Sequence, residues 1–419
     1  MILEKDFTLD RGSGRGLSGW QNMQLRRMVF IHPNLAHYHF PRLQALGEVI
    51  QSGGGALYNI ELASRTQAYQ WVVTEKPVNF VNYTLFPGQT LEHIPSNKLW
   101  AALKHRLEAI KPDIAFLYGY SLGVLRQAKA WCDQNQVATV LISDSNDFDK
   151  QRNQIFERIK SLFVAHYGAA FVGGTSSSCY LQTLGIPQER IVAGYDVIDN
   201  AFFSRRAEEN KRDLNAIRQK WFLPETYFLV VTRLIAEKNL ARLFAAYQEY
   251  ALQLEDTFEP WHVVICGSGP EEQKLRRLLL DFPLSLSDRI LFYGYIRQPD
   301  LADFFSAATC LVLPSISETW GLVVNEALAS GLPVLVTNRA GCACDLVREN
   351  QNGWTFDPYN VHELADLLAR MTRLEADART EMGQCSLRLV ADWDLDRFAR
   401  GALESARIAL TQKQPEAQV

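Results

Sequence analysis

The amino-acid sequence predicts an α/β protein made of two doubly wound parallel-sheet domains that face one another across a cleft. Three observations point there. The chain has 419 residues, too many for one hydrophobic core and about right for two. Short runs of β-branched and aromatic residues alternate with stretches of helical periodicity, the pattern of a parallel sheet covered by helices. That rhythm runs twice, broken by a charged stretch without strand character, AFFSRRAEENKRDLNAIRQKW over residues 201–221. Each half therefore reads as a Rossmann-like unit, with function expected on the strand-to-helix loops at the carboxyl ends of the strands.

Taken in order, residues 1–27 form an N-terminal extension. A first domain over 28–203 takes its strands from MVFIHP (28–33), ALYNI (56–60), FVNYTL (80–85), IAFLYG (114–119), VATVLIS (137–143), AAFVGG (169–174) and RIVAGYDV (190–197). The charged stretch supplies the linker and the first helix of the second domain. That domain, over 204–391, takes its strands from YFLVVTR (227–233), HVVICG (262–267), ILFYGY (290–295), CLVLPS (310–315), PVLVTN (333–338) and WTFD (354–357). In the last segment, residues 392–419, Leu395, Phe398, Ala399, Ala402 and Ala406 make a helical stripe, predicting a terminal helix that braces the domains.

Composition narrows the partners. Forty-three Lys plus Arg against forty-seven Asp plus Glu give a net charge of -4, so binding driven by the phosphate backbone of nucleic acid is a poor default. The seven cysteines, an odd and scattered set, suit a reducing cytoplasm. Cys342 and Cys344 lack the neighbouring Cys or His pair that a zinc site needs. No apolar run reaches the roughly 18 residues of a spanning helix, and the first 27 residues lack a signal-peptide core. Any membrane contact is therefore expected to be peripheral, at the inner membrane face. KQRNQIFERIKSLFVAHY (150–167) reads as an amphipathic helix, with Lys150, Arg152, Arg158 and Lys160 beside Ile155, Phe156, Ile159, Leu162 and Phe163. It is either a solvated helix or one attracted to an anionic lipid surface or acceptor.

The most informative stretch is PSISETWGLVVNEALASGLPVLVTN (314–338). Glu318 falls on a loop at a strand's carboxyl end, and Gly321, Leu322 and Val323 open a helix whose first N–H groups have no intrahelical acceptor. Such a helix end suits a diphosphate, and a glycine lets phosphate approach the backbone. Glu326, one turn further in, suits ribose hydroxyls. TRLIAEKNL (232–240) sets Arg233 and Lys238 on another strand-end loop, two cations able to face a diphosphate without a metal. ICGSGPEE (265–272) adds Gly267 and Gly269.

Together these elements resemble the donor domain of family 4 glycosyltransferases with the GT-B fold, over roughly residues 226–345. The resemblance implies a retaining hexosyltransferase that moves a sugar from a nucleoside diphosphate donor, most often UDP-glucose, to a hydroxyl-bearing acceptor such as a glycolipid or polysaccharide intermediate, with no cofactor and no metal. It implies that Arg233 and Lys238 bind the diphosphate and Glu318 contacts the transferred sugar beside Thr319 and Trp320. It further implies that Gly321 and Leu322 supply backbone donors, Glu326 holds the ribose, and the backbone near Tyr295 touches the base. Catalysis would rest on Glu318, Lys238, Arg233 and Asp144.

The first half is similar in outline only. Its first strand-to-helix loop reads HPNLAHYHFPRL (32–43) rather than glycine-rich, resembling the variant of bacterial surface-polysaccharide and glycolipid transferases. His37 and His39 are expected to contact the acceptor or to pack. A histidine common after the fifth strand is absent, and Asp144 stands near its place as a sugar contact or base. DFD (147–149) and DWD (392–394) do not follow strands as a metal-binding Asp-x-Asp does. Rival readings are a GT-B-fold nucleotide-sugar epimerase and a nucleotide-sugar binding protein without turnover. A dinucleotide dehydrogenase would need Gly-x-Gly-x-x-Gly after a first strand, which neither half has. Donor base, acceptor, linkage and oligomeric state are not written in the sequence.

Overall fold

A computed structural model describes residues 26–67, 77–148, 152–255 and 258–412; most of the N-terminal extension lies outside them. All thirteen expected strands form. The first sheet contains β1 (Arg27–His32), β2 (Ala56–Arg65), β3 (Val81–Thr90), β4 (Ile114–Tyr118), β5 (Ala138–Ser143), β6 (Ala169–Val172) and β7 (Ile191–Ala193). The second contains β8 (Tyr227–Val231), β9 (His262–Cys266), β10 (Ile290–Gly294), β11 (Cys310–Leu313), β12 (Val334–Thr337) and β13 (Gly353–Phe356). Every pairing is parallel, in the orders β3-β2-β1-β4-β5-β6-β7 and β10-β9-β8-β11-β12-β13.

Because successive side chains of a strand point to opposite faces, each strand feeds two cores. In β1, Met28 and Phe30 enter a cluster with Phe116, Val140 and Phe171, whereas Val29 and Ile31 pack with Leu103, Leu107 and Leu125 on the other side. Burial on both faces explains why these strands read as continuous apolar runs.

The terminal helix, Leu395–Thr411, begins at Asp394, whose carboxylate accepts from the Arg397 N–H at 2.8 Å. DWD thus ends in a helix cap rather than in a metal ligand. The predicted stripe is real: Phe398, Ala399, Ala402 and Ala406 are buried against Phe30, Phe171 and Tyr195 of the first domain. The chain therefore returns to the domain from which it started. Burying Phe398 alone contributes about 2 kcal/mol.

The charged stretch is no flexible linker. It folds into two helices, Asn200–Lys211 and Leu214–Trp221, so the expected boundary at 203/204 falls inside the first. Both helices dock on the helix Gln298–Ala307 through its buried Asp303. That carboxylate accepts from Lys220 at 2.8 Å, Trp221 at 2.9 Å, Asn210 at 3.0 Å and Arg206 at 3.2 Å. Two charges of the stretch, Arg206 and Lys220, serve a single buried counter-ion.

Candidate active site

In an open parallel sheet, ligands bind where the strand order reverses. In the second sheet that point lies between β8 and β11. The loops leaving these two strands carry Arg233 with Lys238 and Glu318, 80 residues apart between Lys238 and Glu318.

After β8 the chain makes a short turn, Ala236–Lys238, and reaches Asn239 in the left-handed conformation at φ 61°. Asparagine tolerates that region better than most residues, and here its buried amide donates to the carbonyls of Pro314 at 3.0 Å and Pro358 at 2.8 Å. The Ile316 N–H donates to Glu237 O at 2.9 Å. The two loops are thus tied together, and the Lys238 ammonium hydrogen-bonds the Glu318 carboxylate, which also accepts from Ser315 Oγ at 3.3 Å. Both ionic side chains are mostly buried, at 12% and 18% exposed. Asn239 was invisible to motif reasoning, although a polar residue after a cation at a helix start is the signal that marks it.

Gly321 stands at φ 106°, a conformation that a side chain would strain. It turns the chain from Glu318 into the helix Leu322–Ala329, which starts after the carboxyl end of β11 with its first N–H groups lacking an intrahelical acceptor. Glu326 lies inside that helix, 9% exposed. Burial pushes its carboxyl up from 4.5 to about 8. The native state then holds a proton that the unfolded chain releases above pH 4.5, so stability falls as pH rises from 4.5 to about 8. Glu326→Gln, fixed in the neutral form, should lose several degrees less than the parent in melting temperature between pH 5 and pH 8. Equal slopes by circular dichroism would refute the buried, protonated state.

Other expected contacts are placed differently. Trp320 is corrected: its indole is 3% exposed, donates to Asn325 at 2.9 Å, and packs on Trp393 at 5.0 Å and on Gly173 and Gly174 of the first domain. It joins the domains and presents no face to a ligand. Thr319 is exposed, and Asn146 of the first domain donates to the carbonyls of Glu318 and Thr319, both at 3.1 Å. Gly267 and Gly269 have a packing role, since a Cβ would lie 1.7 Å from Thr232 O and 2.4 Å from Leu234 O. They let this loop press on the one that carries Arg233. Tyr295, after β10, is 63% exposed.

Across the cleft, the reversal of the first sheet lies between β1 and β4. There His32, Tyr118, Asp144, Tyr195 and Asp196 leave the strand ends, with His39 and Arg42 on the helix His39–Ser52. Of the two expectations for His39, packing is the one its surroundings match: it is 5% exposed, lies 4.4 Å from the His32 ring, and accepts from the Ala36 N–H at 3.1 Å. Burial, together with the neighbouring charges of His32 and Arg42, drives its imidazole well below 6.5 and keeps it neutral. Burial likewise lowers His32 to about 4, against the Asn59 hydrogen bond. His37, on the preceding loop, is half-buried.

Asp144 accepts from the Tyr118 hydroxyl at 2.9 Å and pairs with Asp196, whose other oxygen accepts from Arg42 at 3.3 Å. Burial, then the Asp144 charge, raises Asp196 well above the ordinary carboxylate range. Burial raises Asp144 as well, so the two carboxyls favour one proton held between them, and Asp144 Oδ1 and Asp196 Oδ2 have no other hydrogen-bond partner. Asp196 and Arg42 escaped the sequence reading, although Asp196 met its own criterion of a polar residue at a strand's carboxyl end. Among the described residues, no group of three or more His, Cys, Asp or Glu is placed to hold a metal ion.

Two parallel sheets with their switch points facing one another, and a Lys238–Glu318 pair and a helix start at one of them, define a GT-B-type fold. Residues 213–386 match the family model for glycosyl transferases group 1. The sulfoquinovosyl transferase SQD2 of Arabidopsis thaliana is 31% identical over 150 residues, 36% of this chain and 26% of that protein. The D-inositol 3-phosphate glycosyltransferase of Mycobacterium avium is 33% identical over 153 residues, 36% of each. The chain thus spans about a quarter to a third of the length of these relatives. Among solved structures, sucrose-phosphate synthase from Thermosynechococcus elongatus shares the fold at TM-score 0.70 and 18% identity, over 92% of this chain and 100% of that one. HepE from Anabaena, solved with UDP, does so at 0.66 and 13%, over 91% and 100%.

Proposed function

We propose that this protein transfers a hexose from a nucleoside diphosphate sugar to an acceptor hydroxyl, with retention of configuration and without a metal. The observation that carries the reading is the Lys238–Glu318 pair at the β8/β11 switch point, with the half-buried Arg233 on the same loop as Lys238. Without donor, the lysine is neutralised by the glutamate. A diphosphate offers Lys238 a stronger counter-charge, and Glu318 is then released toward the sugar. Arg233, Lys238 and the opening N–H groups of Leu322–Ala329 take up the charge that develops on the leaving group. Glu326 gives its carboxyl to the ribose. Structural relatives solved with UDP or UDP-glucose make a uridine donor the first choice. The carboxyl pair Asp144–Asp196 faces the acceptor side, where Asp144 orients the incoming hydroxyl.

The test is thermal unfolding with a panel of nucleoside diphosphates, each with and without chelator. A ligand present at 100 times its dissociation constant adds about 2.7 kcal/mol, a shift of several degrees for domains of this size. The expected result is a shift with UDP that survives chelation. A shift with none of them sinks the donor assignment, and one abolished by chelator sinks its metal independence.

A further inference from the structure

The helix Gln154–Val164 meets the first domain through Val164, Phe163 and the polar group Glu157, and leaves a second apolar face outside. Ile155, Phe156, Ile159 and Leu162 are between 58% and 71% exposed and form one stripe, with residues at i, i+4 and i+7. Toward the domain, Glu157 accepts from Lys160 at 2.6 Å and from the Tyr180 hydroxyl at 2.7 Å, and Arg152 lies 4.2 Å over the Tyr180 ring. Those bonds fix the rotation of the helix, so the apolar stripe is held outward rather than left there by loose packing.

Charge indicates what covers it. Residues 152–166 carry Arg152, Arg158 and Lys160 against the single carboxylate of Glu157; Arg152 and Lys160 pair with that carboxylate, and Arg158 stands exposed beside the stripe. A second copy would set one cationic helix against another. An anionic bilayer satisfies both features, since apolar chains enter the headgroup boundary while Lys and Arg meet lipid phosphates. We infer that Gln154–Val164 docks the first domain on an anionic lipid surface, with Ile155, Phe156, Ile159 and Leu162 inserted and Arg158 on the phosphates. Arg152 just before the helix also donates to Asn146 O, and the Asn146 amide holds the Glu318–Thr319 backbone. Docking therefore sets the mouth of the cleft beside the bilayer. The inference does not depend on the sugar-transfer reading.

The experiment is co-sedimentation of the full chain with vesicles of phosphatidylcholine alone and with roughly 30% phosphatidylglycerol added. Binding should be about tenfold stronger or more on the anionic vesicles, and should fall by a similar factor in the Phe156→Ser/Ile159→Ser double variant and in Arg158→Glu. Melting temperature and the nucleoside diphosphate shift should stay at parental values in both. Equal binding to both vesicles, parental binding by the double variant, or no binding at all overturns the inference. So does a concentration-dependent dimer by light scattering that the double variant abolishes, which would assign the stripe to a second copy.

Discussion

Lys238→Ala and Glu318→Ala are each expected to lower sugar-transfer turnover at least about a hundredfold, which corresponds to about 2.7 kcal/mol of transition-state stabilisation. The lysine change removes the ammonium proposed to balance the leaving diphosphate and strands the Glu318 carboxylate, only 18% exposed, without its partner. The glutamate change removes the proposed sugar contact and frees the lysine to hold product. The two should therefore differ in detail: Lys238→Ala weakens the nucleoside diphosphate thermal shift, whereas Glu318→Ala preserves or enlarges it while turnover falls. Each variant's melting temperature shows whether the fold survives. Near-parental turnover in a folded variant of either kind would remove the site from this switch point.

Asp303→Ala is expected to be destabilising, costing about 1–3 kcal/mol, because the Trp221 and Asn210 donors lose their acceptor while the half-exposed Lys220 and Arg206 regain water. Four donors, Arg206, Asn210, Lys220 and Trp221, converge on that one carboxylate, reaching across 82 to 97 residues of sequence. Burial alone would raise the carboxyl, but the hydrogen bonds from Lys220, Trp221 and Asn210 and the Lys220 charge bring it below its ordinary value of 3.8. Because the folded value is depressed, the contribution is fully present at neutral pH and disappears as pH falls through that value. Asp303→Asn, which keeps the shape and loses the charge, should cost less than the alanine change. Chemical denaturation reads both, and a loss below about 1 kcal/mol for alanine would show that the two helices are held by their apolar contacts instead.

Much of the proposed site was legible because its signals are local. Arg233, Lys238, Glu318, Gly321 and Glu326 all lie within a few residues of a strand end or helix start, and strand ends follow from short apolar runs. Trp320 misled for the complementary reason. It sits in the same loop as Glu318, yet its side chain turns into the interior against Trp393, as that of His39 turns against His32. Residue type and loop position do not record which way a side chain faces. The same holds for Asp144, whose partner Asp196 arrives from β7 and alters its protonation.

By itself, then, the sequence determined the thirteen strands and the two sheets, because backbone periodicity is set by neighbours along the chain. Only the tertiary structure decided that 201–221 is a clamp on Asp303, that the terminal helix returns to the first sheet, and that Gln154–Val164 faces its apolar stripe outward. Each of those depends on burial and on partners tens to hundreds of residues away. A charge that looks solvated in the sequence becomes a structural tie when a distant carboxylate, buried by packing, has no water left to satisfy it.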